Sequence, residues 1–332
     1  MLIVKRILNK LVLIGYILIL LSLSPLAKSQ QLPIYSQYMM NKFLLNPAVA
    51  GSEGYTSINL TAREQWIGFQ NSPKTHAVSA QTRILGNSYV LKRISVRKKQ
   101  KANSRIGRVG LGGYVFNDRA GMVSRTGFQF TYAYHISIRE SQLSFGLSGT
   151  AYQFKIDKEN MTVWEDNDLL VNNLDNILFI PDANVGIYYS DPQLYVGLSA
   201  SQLFQASIKF GNKQFESYRL LRHYYLMGGY TIEINNDFML EPNLLIKTSE
   251  IWNFQADIGT KLYYRQDYWG GLSYRTDRTF IIMGGVKIDK FYIGYAFDYD
   301  FASIAKYSFG THEFMLAVRF GEKARRYRWL NR

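Results

Sequence analysis

From Trp252 to Arg265 the chain alternates with a period of two. Trp252, Phe254, Ala256, Ile258, Leu262 and Tyr264 fall on one face, and Asn253, Gln255, Asp257, Lys261 and Arg265 on the other. The same alternation carries Phe291, Ile293, Tyr295, Phe297 and Tyr299, then Phe314, Leu316, Val318 and Phe320. Leu143, Phe145 and Leu147, and Phe238, Leu240, Leu244 and Ile246, add two more runs. A period of two is the geometry of a strand whose faces meet different surroundings. Such segments run 9–14 residues, longer than the ~5–6 usual in soluble strands and matched to a tilted bilayer crossing. Hydrocarbon holds no water to satisfy a free backbone, so strands can cross it only as a closed barrel.

Fourteen such strands are predicted, near 55–66, 75–85, 106–117, 121–138, 141–155, 182–190, 193–201, 219–234, 237–247, 252–265, 267–275, 278–288, 290–299 and 311–320. The expected fold is all-β: a single transmembrane β-barrel of about 14 antiparallel strands over 55–320. An even count puts both chain ends on the periplasmic side. Ser190-Asp191-Pro192, Asn235-Asn236, Gln266 and Asp289 read as tight periplasmic turns, and 156–181, 202–218 and 300–310 as longer outer loops. The twenty-residue connection 86–105 breaks that rule, since it too falls on the periplasmic side. The rival reading is a soluble protein of two packed sheets.

Composition agrees with strands: 25 Tyr, 20 Phe and 26 Gly against 7 Pro. Cysteine is absent, which excludes disulfides and thiolate metal sites. Residues 1–29 read as a secretory signal. Lys5, Arg6 and Lys10 precede an apolar run from Leu11 to Leu23, and Ala27-Lys28-Ser29 predicts cleavage before Gln30. Thirteen apolar residues fall short of the ~20 that a retained membrane helix needs. The signal holds four of the 39 basic residues and no acid, leaving 35 against 25, a net charge of +10. An exported chain of that charge points to lipid phosphate or an acidic protein, not to nucleic acid.

Charge is also uneven along the chain. Lys92, Arg93, Arg97, Lys98, Lys99, Lys101, Arg105 and Arg108 form one basic block. Lys323, Arg325, Arg326 and Arg328, in the tail 321–332, form a second. Both fall on the expected periplasmic face, where they suit anionic headgroups or an acidic partner. The outer loop is acidic instead, with Asp157, Glu159, Glu165, Asp166, Asp168, Asp175 and, at its end, Asp182. Its stretch WEDNDLLVNNLDN, 164–176, lacks the Gly and later Glu of a calcium loop and reads as solvated.

Four glycine pairs sit inside predicted strands: Gly112-Gly113, Gly228-Gly229, Gly270-Gly271 and Gly284-Gly285. They curve the wall or make room for something in the lumen; wall curvature is the preferred reading. The four histidines (His76, His135, His223, His312) lack metal-ligand spacing, no nucleophile-and-base set stands out, and no cofactor motif is present. Nothing here reads as an enzyme.

Before the first strand, residues 30–54 include PIYSQYMMNKFLLNPAVAGS. Ser36 is expected to cap a short helix with Tyr38, Met39, Phe43 and Leu45 on its apolar side, ended by Asn46-Pro47. A helix of ten residues is marginal in water, so the segment is expected to line or plug the lumen.

YSQYMMNKFLLNPAVAGS followed by LTAREQWIGFQNSPKTHAVS resembles the amino-terminal signature of the PorP/SprF family, outer-membrane proteins of the type IX secretion system of Bacteroidetes. The matching residues are Tyr35, Gln37, Tyr38, Asn41, Asn46, Pro47, Gly51, Arg63, Gln65, Trp66 and Pro73. FNDRAGMVSRTGFQFTYAYHI, from Phe116, and YSFGTHEFMLAVRF, from Tyr307, are also similar to the family. The resemblance implies secretion or surface attachment of cargo bearing a type IX C-terminal sorting domain, in some members gliding adhesins. It also implies periplasmic secretion-machinery partners and an integral outer-membrane location. A polar lumen lined by Glu241, Asn243, Gln255, Asp257 and Lys261 leaves a passive or ligand-specific channel as the alternative.

Overall fold

The computed structural model describes residues 35–84, 107–138, 140–156, 177–205, 207–208, 218–301 and 307–320. No described helix is long and apolar enough to cross a membrane. Fourteen long strands form one antiparallel ring. They are β1 Thr56–Glu64, β2 Lys74–Ile84, β3 Val109–Ala120, β4 Val123–Ile138, β5 Ser141–Ile156, β6 Ile177–Ser190 and β7 Leu194–Ser201. After these come β8 His223–Tyr230, β9 Phe238–Ser249, β10 Gln255–Tyr264, β11 Tyr268–Arg275, β12 Thr279–Ile288, β13 Phe291–Asp300 and β14 Thr311–Phe320. Each pairs with its sequence neighbour, and β1 pairs with β14 in the register Leu60 to Leu316, which closes the ring. That closure removes the two-sheet alternative.

Polarity runs opposite to that of a soluble protein. Phe130, Leu147, Ile258, Leu272 and Phe314 stand exposed on the outer surface. The residues beside them in sequence, Gln129, Ser148, Asp257, Ser273 and Glu313, are buried. In water such an exterior would lose about 25 cal/mol for each Å² of apolar area left unburied; in hydrocarbon it is the favourable arrangement. Tight turns join one rim. Arg265 and Gln266 both take positive φ (50° and 59°) and Asp289 follows suit (53°), the backbone twist that lets two strands meet without splaying.

Several boundaries differ from the sequence reading, among them β3, expected over 106–117 and found over Val109–Ala120. β6 starts at Ile177 instead of 182, because Phe179 faces out and Ile180 faces in, and Pro181 is accommodated opposite Ala151. Asp182, read as part of the acidic loop, is therefore a buried wall residue. β10 starts at Gln255, since Trp252 is 85% exposed with φ 58° and ends a turn instead. The long span 219–234 resolves into β8 plus the short pairing of Ile232–Glu233 with β9.

Candidate functional site in the barrel interior

The expected helix over 36–45 does not form. Residues 42–44 and 47–49 make two single 3₁₀ turns, and the Ser36 hydroxyl is engaged elsewhere. Asn46 starts the second turn instead of ending a helix: its Oδ1 accepts the Ala48 N–H at 2.9 Å, with Pro47 at the first position. The reason is competition for side chains. The segment's polar groups find partners on strands all round the interior, which one regular helix face does not match.

Polar contacts from residues 36–52 reach ten of the fourteen strands. Tyr38 Oη donates to Asn243 on β9 at 3.0 Å, and Asn41 to Ser79 on β2 at 3.0 Å. Asn46 Nδ2 donates to the carbonyls of Ile187 and Leu198 at 3.0 and 3.1 Å, joining β6 and β7. Ser199 donates to the Leu45 carbonyl, and Gln81 accepts from the Gly51 N–H. His135 on β4 meets the Ala50 carbonyl at 3.0 Å, and Gln142 on β5 donates to that of Ser52. Lys261 on β10 lies 3.6 Å from Met40 Sδ. One apolar cluster holds Tyr38, Met39, Phe43, Val49 and Ala50 together with Ala133, Tyr188, Trp269 and Met315. Those four lie on β4, β6, β11 and β14, so the cluster occupies the interior.

The densest part is ionic. Arg63 on β1 binds Asp298 on β13 at 2.8 Å and Glu313 on β14 at 3.2 Å. Arg275 binds Asp257 at 2.8 Å and reaches Asp298 at 3.6 Å. All five side chains are 4% exposed or less. Two cations thus face three carboxylates, and a buried charge without partners is costly. The amino-terminal segment supplies the missing donors. Glu313 accepts the N–H groups of Ser36 and Gln37 at 2.8 and 2.9 Å, one on each oxygen. Ser36 Oγ donates to Asp298 at 2.6 Å and accepts from Arg63 at 2.6 Å. Lys42 completes a second site, 3.6 Å over the Tyr195 ring. Burial alone would lower its ammonium, but Tyr188 and Glu241 more than offset this and hold it above the ordinary lysine value.

Glycines fit the segment, though mostly not the pairs singled out by sequence. A Cβ on Gly146 would lie 2.2 Å from the Ala48 nitrogen, one on Gly186 2.1 Å from Asn46 Oδ1, and one on Gly110 1.9 Å from the Ala50 carbonyl oxygen. Among the paired glycines only Gly112 meets the segment, at Phe43. Gly229 and Gly285 make room for the Tyr195 and Trp269 rings of the wall itself. The inward members Gly112, Gly229 and Gly285 thus leave room for aromatic rings.

The family-motif residues separate into two groups. Tyr35, Gln37, Tyr38, Asn41, Asn46, Pro47, Gly51 and Arg63 are buried in the interior. Gln65, Trp66 and Pro73 lie in the β1–β2 turn, where Gln65 N–H donates to Pro73 and Trp66 Nε1 donates to Asp300 at 2.7 Å. Of the basic set, Arg108 is exposed and donates to Tyr134 Oη. The rest of that set, the acidic-loop residues 157–175, the signal and the tail lie outside the described residues. Asp298, Glu313, Arg275 and Asp257 form the centre of the site, and of these the sequence reading had placed only Asp257 inside. The other three occupy inward positions of strands whose outward positions are aromatic or apolar, which was the available signal.

A family model, described as type IX secretion system membrane protein PorP/SprF, matches residues 27–318. The chain belongs to the PorP/SprF family. It is an outer-membrane β-barrel of a type IX secretion family, and that family is one of membrane secretion components, not of enzymes. No match was found among curated proteins. Among solved structures the chain is similar to the CymD monoaromatic hydrocarbon channel, with 12% identity, TM-score 0.44, and 87% of this chain and 92% of that one covered. It is similar also to Omp33 of Acinetobacter baumannii, with 9% identity, TM-score 0.44, and 81% and 99% covered. The KdgM porin gives 10% identity, TM-score 0.34, and 80% and 98% covered. Those likenesses end at the barrel.

Proposed function

We propose that this PorP/SprF barrel works mechanically: residues 35–54 plug the lumen, and the closed barrel holds or guides a secreted partner at the cell surface. The partner would carry a type IX C-terminal sorting domain, as surface adhesins of gliding cells do. The observation that carries the reading is the set of contacts binding the segment to ten strands. A chain built to conduct has no use for an interior filled by its own buried residues. The rim bearing 65–73, 202–222 and 301–310 would face outward to the cargo. Basic residues 86–108 and the tail would face anionic lipid or periplasmic machinery.

The test is gentle detergent extraction of the tagged protein from its native outer membrane, followed by mass spectrometry of what accompanies it. Recovery of a large surface protein ending in a sorting domain supports the reading. Recovery of the barrel alone, with steady ion current on reconstitution, would replace it with the channel.

A further inference from the structure

Between the segment and the loop-bearing rim lies a chamber of about 100 Å³. Tyr35, Phe43 and Leu45 form its floor, and Tyr114, Phe116 and Tyr152 line one wall. Those three rings run in series, with centroids 5.5 and 6.2 Å apart. Toward the rim, Tyr152 joins a buried apolar cluster with Phe154, Ile156, Ile180 and Leu220. The chamber thus sets an aromatic wall against polar groups, for Asp118, Arg125 and Asp182 line it as well.

Charge in the chamber does not balance. Asp118 is fully engaged: Arg125 donates to its Oδ2 at 2.5 and 3.1 Å, and Thr75 to its Oδ1 at 2.7 Å. Asp182 is different. Its Oδ1 accepts the N–H groups of Ala183 and Phe204, but its Oδ2 has no hydrogen-bond partner among the described residues, although the residue is only 4% exposed. Arg222, the other nearby cation, is paired with Glu250 at 3.2 Å. One buried carboxylate oxygen is thus left over in a chamber with an aromatic wall, and such an oxygen is costly unless a donor reaches it.

We propose that this chamber is a socket for a long basic side chain, lysine or arginine, carried by a protein that docks on the loop-bearing rim. The proposal rests on the docking reading above and names the partner's chemistry. A basic side chain fits in each respect. Its methylene stem lies along apolar rings while its head keeps a polar partner. The aromatic faces attract the cation, and the head would donate to Asp182 Oδ2.

The absence of cysteine gives a direct test. Ser201 lines the chamber, and Ser201→Cys in the full-length protein in detergent is labelled with methanethiosulfonate reagents of either charge. Rates are referred to those of Gln70→Cys, exposed on the same rim. The ethylammonium reagent should be favoured over the ethylsulfonate by roughly tenfold, and Asp182→Asn should abolish that preference. Acetyl-Gly-Lys-Gly-amide should slow labelling, and the same peptide with acetyl-lysine should not. Thr150→Cys, also in the lining, repeats the measurement at a second position. Equal reagent preference with and without Asp182, or equal protection by both peptides, overturns the socket. If that happened while extraction still recovered a surface protein, docking would stand and only the socket would fall.

Discussion

Removing the Glu313 carboxylate should release the amino-terminal segment while leaving the barrel intact. In Glu313→Ala three interactions are lost: the Ser36 N–H at 2.8 Å, the Gln37 N–H at 2.9 Å and Arg63 at 3.2 Å. Hydrogen bonds to a charged group are worth about 1.5–3 kcal/mol each. Arg63 keeps Asp298 and Ser36 Oγ, so it is not stranded. The two amides can rehydrate once the segment opens, which recovers part of their loss. A net cost of about 3 kcal/mol to docking is expected, which is an opening constant raised about hundredfold at ~1.4 kcal/mol per decade. Hydrogen exchange of the protein in lipid nanodiscs reads this directly. Peptides covering 35–45 should exchange about hundredfold faster in Glu313→Ala, and peptides from β4 and β5 should not change. Glu313→Gln, which keeps one acceptor oxygen, should fall between. Exchange in 35–45 within about threefold of the parent would refute the anchoring role of this carboxylate.

Other perturbations address separate parts of the account. Gly146→Val should displace Pro47 and Ala48, since even a Cβ there lies 2.2 Å from the Ala48 nitrogen; a loss of about 1–3 kcal/mol would appear as a lower unfolding temperature on heat-modifiability gels. Asn46→Ala removes a turn cap and two bonds to wall carbonyls, and should cost about 2–3 kcal/mol in the same assay. Because the Lys42 pKa is raised on folding, its contribution is fully present below the unfolded lysine value of about 10.4 and is lost as pH rises through the higher folded value. The protection factors of 35–45, which remove the base-catalysed rise of intrinsic exchange, should therefore fall on the alkaline side of that window in the parent and stay level in Lys42→Met. Trp66→Phe loses the bond to Asp300 on the rim, and should leave exchange of 35–45 unchanged while loosening 65–73.

The barrel was legible because its physics is periodic. Outward Phe314, Leu316 and Phe320 and inward Glu313 and Met315 alternate at a spacing that nothing but a strand satisfies, so strand number and most boundaries could be read directly. Boundaries failed at two strand starts: 177–181 was read as loop, and Trp252 as strand. The interior was less legible because its partners are far apart in sequence. Ser36 meets Asp298 and Glu313, more than 260 residues away, and no local pattern marks such a pairing. The Asn46-Pro47 break was visible, but its direction was not, since capping depends on where the carbonyls of Ile187 and Leu198 lie. Gly146 and Gly186 stood out less than the glycine pairs, because a single glycine in a strand gives no clue to which face is crowded.

The central claim is that the segment closes the barrel, and planar-bilayer recording of the intact protein tests it most directly. Insertion should give no steady ohmic current, with conductance steps appearing only in Glu313→Ala or after deletion of 35–50. Sustained conductance steps from the intact protein, equal in size to those of the deletion, would contradict it.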